Sequence, residues 1–141
     1  MPGMDPAEAR RRFADARVAR LATVDPDGRP HLVPLVFAVH GDRIVTAVDD
    51  KPKRSRRLTR LRNIAGCPAV CLLADAYDED WDRLWWVRVD GDAHLLAPGA
   101  DQEFAEAIAL LRRKYPQYRD RPPEGPVVVV TGLRWTGWRA S

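Results

Sequence analysis

The chain opens on a helical signal and then turns to alternation. Asp5 is placed to cap a helix, Pro6 takes its first position and Glu8 follows three residues after the cap, so a helix is expected to about Ala16. From Arg17 to Val24 (RVARLATV) polar and apolar residues alternate, which is the period of a half-buried strand. Asp25-Pro26-Asp27-Gly28 makes a turn, because proline presets one φ angle and glycine supplies another. Pro30–Val39 (PHLVPLVFAV) reads as a second strand. Pro34 inside it lacks a ladder donor, so the strand lies at an edge, carries a bulge or stands open to a ligand there. After His40-Gly41-Asp42, Arg43–Val48 is a third strand, and the three together predict an antiparallel meander.

The pattern changes at Asp49. Residues 49–57 (DDKPKRSRR) form a basic loop, and a helix follows to about Ala65. Leu58, Leu61, Ile64 and Ala65 share one face, with Arg56, Arg60 and Asn63 on the opposite one. Gly66 and Pro68 end that helix. A fourth strand spans Ala69–Leu73, and an acidic loop, Asp75–Asp82, follows. Leu84–Asp90 and Ala93–Leu96 predict a hairpin around Gly91. A helix over about Ala100–Lys114 turns Phe104, Ile108 and Leu111 to one side. A proline-rich connector, Tyr115–Pro126, leads to Val127–Thr131, a continuous apolar run expected to be buried on both sides, and then to a strand-like end with two tryptophans. Strands without regular crossover helices make the class α+β, mainly β, and the short turn spacing suggests a small barrel.

Composition narrows this picture. The 141 residues, 45% hydrophobic and 30% charged, suit one globular domain over 1–141. The net charge of +3 falls short of a dedicated nucleic-acid binder. Cys67 and Cys71 are too few for a disulfide framework, and C-x3-C has no second pair to complete a zinc site. The N-terminus lacks the apolar stretch of a signal peptide, and no apolar run approaches a membrane span. A reduced, cytoplasmic protein with no membrane partner is the expectation.

Lys51 through Arg62 is the most informative segment: seven cations in twelve residues with no acid among them. Like charges at i,i+4, such as Arg56 and Arg60, repel on a bare helix, so the cluster calls for an anionic partner. It also lies where a strand feeds a helix N-terminus, whose free N–H groups and dipole favour phosphate. Nucleic acid would satisfy the cations too, but the acidic loop opposes a long polyanion. His31, His40 and His94 have no metal-ligand spacing and read as structural or surface residues, and no metal site is expected. Trp85 and Trp86 are successive strand residues and point to opposite faces, so one of them needs a partner outside its own barrel. The lack of a catalytic side-chain set suits an enzyme whose chemistry is carried by a cofactor.

The segments ARLATVDPDGRPHLVPLVFAVHGDRIVTAVD, KPKR, LTRLRNIAGCPAVCLLAD and YDEDWDRLWWVRVDGDAHLL resemble the pyridoxamine 5'-phosphate oxidase-like split-barrel flavoproteins, over roughly residues 10–140. Within them the chain is most similar to the actinobacterial branch that uses the deazaflavin coenzyme F420. The resemblance implies a six-stranded antiparallel split barrel with flanking helices, acting as a homodimer with two cofactor sites at the subunit interface. It implies that Lys51, Lys53, Arg54 and Arg60, with Asn63 nearby, hold the cofactor phosphate. The ring would lie against Val33, Pro34 and Thr46, and the partner subunit would offer residues equivalent to Trp85, Trp86 and Arg88. The C-terminal segment by which the oxidases grip pyridoxal phosphate has no counterpart here, which argues against that substrate.

The expected function is hydride transfer between reduced F420 and a small conjugated acceptor. Seven cations exceed the need of a single terminal phosphate, which favours the deazaflavin and its charged tail over FMN. An FMN-dependent oxidase or reductase is the alternative, and a non-catalytic carrier of the cofactor is another.

Overall fold

The computed structural model describes residues 3–48 and 54–141, with the side chains of residues 54–58 outside that description. The opening helix, Pro6–Asp15 (α1), forms as its cap predicts, with the Asp5 carboxylate accepting from Glu8 N at 2.8 Å. Ala19–Val24 (β1) and Pro30–Leu35 (β2) then pair antiparallel, from Ala19↔Leu35 to Val24↔Pro30. Their turn is fixed by the Asp25 carboxylate, which accepts from Asp27 N and Arg29 N, and by Gly28 at φ 80°.

The expected meander is not formed. The second strand breaks at Val36–Phe37, and Ala38–His40 (β3) pairs with Arg43–Ala47 (β4) as a separate hairpin. The sheet order β2-β1-β5-β6-β7-β4-β3 puts the two hairpins at opposite edges of an open sheet. Pro34 still pairs with Arg20, and the break comes beyond it, where the backbone of Phe37 is taken by the Tyr115 hydroxyl, which accepts from Phe37 N (3.1 Å) and lies 2.9 Å from Phe37 O. Because one predicted strand is two, the sheet has seven strands rather than six.

A helix, Arg54–Gly66 (α2), leads to Ala69–Ala76 (β5) and, through a single 3-10 turn at Trp81–Arg83, to Trp85–Leu96 (β6). The hairpin predicted around Gly91 is absent: β6 is one strand of 12 residues with a bulge between Asp90 and Asp92. Gly91 is there for closeness, since a Cβ would stand 2.7 Å from Thr131 O and from Val130 Cγ1. Gln102–Lys114 (α3) and the short Gln117–Asp120 (α4) precede Val127–Arg139 (β7), which pairs with both β6 and β4.

Two cores result. Phe13 of α1, Phe37, Leu21, Leu72, Val87, Val89, Val128 and Val130 fill the concave side, where Phe13 meets Phe37 and Trp135. Val127 and Val129 face the other way and pack with Val45, Leu96, Ala107 and Leu111 beneath α3. The Val127–Val130 run is buried on both sides, as its continuous apolar character predicts. Among the described residues no helix is long and apolar enough to cross a membrane.

Candidate functional site

Helix α2 packs against β1 and β6, and its Asn63 meets Thr23 near the β1–β2 turn. Ile64 is buried and Leu61 packs against the concave core, as the helical periodicity predicts. The polar residues depart from expectation. Asn63, assigned by pattern to the outward face, is 3% exposed, Arg60 is half-buried and Ala65 is exposed. The buried arc is rotated toward Arg60, which stands one turn before Ile64. The rotation has a polar cause: Asn63 Nδ2 donates to Thr23 Oγ1 at 3.1 Å, and Thr23 is itself only 1% exposed.

Thr23 pairs across the hairpin with His31, so the two side chains rise from the same face of neighbouring strands. Thr23 thus links a small polar group: His31 by cross-strand pairing and Asn63 by a hydrogen bond, with Arg60 one turn before Asn63 on α2. Two atoms of the group, His31 Nδ1 and Arg60 Nε, are buried with no hydrogen-bond partner among the described residues. Burial also pulls the Arg60 guanidinium below its ordinary pKa. An arginine Nε–H is a donor only, so the site suits an acceptor, best an anionic one. The sequence points to Arg60 and Asn63, but it reads His31 as a structural or surface residue and does not single out Thr23. The cross-strand pairing of a polar position with a histidine beside the DPDG turn was the signal available.

The other predicted site residues divide by face. Val33 points to the concave core and is partly buried, while Pro34 is exposed on the convex side. Thr46 is buried and its hydroxyl already donates to Val36 O at 2.7 Å. Trp85 packs against the concave core, with the Arg12 guanidinium 5.7 Å from its ring centroid. Trp86 and Arg88 lie on the convex side, where Arg88 pairs with Asp90 at 3.2 Å. Lys51 and Lys53 lie outside the described residues, as does the side chain of Arg54, the first residue of α2. The convex side of β2, β1, β5 and β6 stands open: Leu32 is 66% and Leu73 38% exposed, in rows that also carry Arg20 and Arg88.

Elsewhere the chemistry is sparse. No group of three or more metal-ligating side chains occurs among the described residues. Burial, and then the Asp90 charge, push the Cys71 thiol up, which keeps it protonated and a poor nucleophile. His94 lies 3.8 Å from Glu103 at the surface.

Comparison with known proteins places this architecture. No curated protein matches the chain. Among solved structures it is similar to the FAD binding protein from Mycobacterium smegmatis, at 21% identity and TM-score 0.66, over 99% of this chain and 98% of that one. It is similar to the conserved hypothetical protein Rv2991 from Mycobacterium tuberculosis, at 23% identity and TM-score 0.71, over 97% and 86%. It is also similar to HutZ, the heme storage protein from Vibrio cholerae, at 15% identity and TM-score 0.69, over 93% and 94%. At such identities the likeness is one of fold. The pyridoxamine 5'-phosphate oxidase family model, however, matches residues 6–139, nearly the whole chain, and the chain belongs to that family.

Proposed function

We propose that the chain is an F420-dependent oxidoreductase, acting in the cytoplasm as a homodimer whose subunits share two cofactor sites. The observation that carries this reading is Arg60: a half-buried guanidinium whose buried Nε has no hydrogen-bond partner among the described residues, within a run of cations and one turn from the Asn63 that bonds to β1. A buried cation with no carboxylate partner among the described residues suits an anionic ligand. Arg60 and Asn63 would hold a phosphate or carboxylate oxygen, with Lys51, Lys53 and Arg54 supplying further positive charge from the segment before them. Thr23 fixes the carboxamide of Asn63 through its hydroxyl. The chemistry that a bound deazaflavin would bring to this site is hydride transfer to a small conjugated acceptor. The chain supplies position: β2 is an edge strand, so one side of its backbone is free of ladder bonds and can orient a planar ring beside Pro34.

The open convex side would receive the second subunit. Of the three residues expected from the partner, Trp86 and Arg88 face outward and fit that task, whereas Trp85 is engaged in its own core. The exposed Leu32 and Leu73 give such an interface an apolar centre.

FMN is the second reading, favoured by the FAD-binding proteins among the structural neighbours. Fluorescence titration with each cofactor separates the two. Tighter binding of F420 supports the proposal, and equal or tighter binding of FMN overturns the choice of cofactor. Tight binding with no hydride transfer to any of a panel of enones, quinones and tetrapyrroles would leave a carrier. A chain that stays monomeric at micromolar concentration contradicts the shared site.

A further inference from the structure

The Thr23–Asn63 hydrogen bond is flanked by two buried nitrogens that have no hydrogen-bond partner among the described residues. On the helix side is Arg60 Nε, one turn before Asn63; on the strand side is His31 Nδ1, on the residue paired with Thr23. Buried polar atoms without partners are rare in native proteins, and two flanking one satisfied pair call for a common explanation. Arg60 Nε–H can only donate, so whatever sits beside it must accept. An imidazole Nδ1 can donate, as the N–H of one neutral tautomer or of the imidazolium, and an anion beside it selects a donating form.

We infer that His31 is a second anchor for the ligand's anionic group, donating from Nδ1 to the same phosphate or carboxylate that Arg60 holds. The inference rests on the anionic-cofactor reading above and adds to it a contact from β2 that no run of cations announces. Thr23 and Asn63 are positioning residues here. Their bond pins the strand side of the site to the helix side, so the two donors keep a fixed relation. A histidine at this place also distinguishes the anionic group from the ring: its loss weakens only ligands that carry the anion.

That difference is the test. Affinities of F420 and of its phosphate-free deazaflavin riboside are measured for the wild type, His31→Phe and His31→Asn. Asparagine returns an N–H close to the Nδ1 position. A charge-assisted hydrogen bond is worth roughly tenfold to a hundredfold in affinity. His31→Phe is expected to weaken F420 by that factor and leave the riboside unchanged, and His31→Asn to restore most of the loss. If FMN proves to be the cofactor, the comparison is FMN against riboflavin, with the same expectation. Equal weakening of both ligands, or of neither, overturns the inference while leaving the cofactor reading intact. Binding of neither ligand by the wild type overturns the reading and the inference together. Should His31→Phe fail to fold, the nitrogen spectrum of the histidine in wild-type complex decides: a protonated, hydrogen-bonded Nδ1 supports the contact, and a bare Nδ1 refutes it.

Discussion

Tyr115→Phe removes one oxygen and should disturb the fold far from its own helix. Tyr115 caps the end of α3 and is 6% exposed, and its hydroxyl reaches Phe37 N at 3.1 Å, Phe37 O at 2.9 Å and Arg17 O at 3.1 Å. The hydroxyl has one proton, so it accepts from Phe37 N–H and donates to one of the two carbonyls at a time. Phenylalanine keeps the ring and its packing but loses both bonds. Phe37 is fully buried, so its N–H is left without an acceptor at a cost of about 1–3 kcal/mol, and the lost donor bond adds about 0.5–1.5 kcal/mol. The expected destabilisation is about 3 kcal/mol. At ~2.1 cal/mol/K per residue the unfolding entropy of 141 residues is about 0.3 kcal/mol/K, so Tm should fall by roughly 10 °C. Differential scanning calorimetry reads the shift, and amide hydrogen exchange at Phe37 should accelerate relative to Leu21. A fall of less than about 2 °C, with Phe37 still protected, would refute the claim that this hydroxyl breaks the second strand into β2 and β3.

Two further outcomes follow from the packing. Gly91→Ala places a Cβ against the backbone Thr131 O and the short branched side chain of Val130 across the β6–β7 pair, and should cost about 1–3 kcal/mol, seen as a lower urea midpoint at unchanged m. An unchanged midpoint would mean that β6 and β7 are not held so close. Lys114, beside Phe37 at 3.8 Å from the ring centroid and donating to Ala14 O, is lowered by burial, and then by Arg17, to about 8 from 10.5. Between those values the unfolded chain holds a proton that the folded chain has released, so this group raises stability as pH climbs from about 8 toward 10.5. Burial holds the Tyr115 phenol above its ordinary value and works in the opposite sense above pH 10, so the comparison is made by subtracting Lys114→Met from wild type at each pH. The difference in unfolding free energy should rise across that window, and a flat difference would show that Lys114 titrates normally.

What the chain reveals in advance depends on how far each cause lies from its effect. The α1 cap and the DPDG turn were legible because Asp5 and Asp25 bond to residues within four positions of themselves. The buried Val127–Val130 run was legible because unbroken apolar character needs no partner to be interpreted. The break in the second strand was not, because the hydroxyl that takes Phe37 from the ladder lies 78 residues further on. Gly91 looks like a turn in a one-dimensional pattern, and only the approach of β7 shows that the missing Cβ is the point. The candidate site divides in the same way. The basic run is a matter of counting, but the direction in which α2 faces is not. Arg60 and Asn63 form a polar stripe, and a polar stripe is assigned to solvent unless something polar waits inside. Here Thr23, forty residues earlier, waits inside for Asn63 and draws Arg60 in with it. A helix that turns a cation inward at the cost of desolvation, when rotating back would expose it, is held there by the Thr23–Asn63 bond and by Ile64 together. The same rotation that hid the site from pattern reading gives it the low-dielectric surroundings in which an arginine binds an anion strongly.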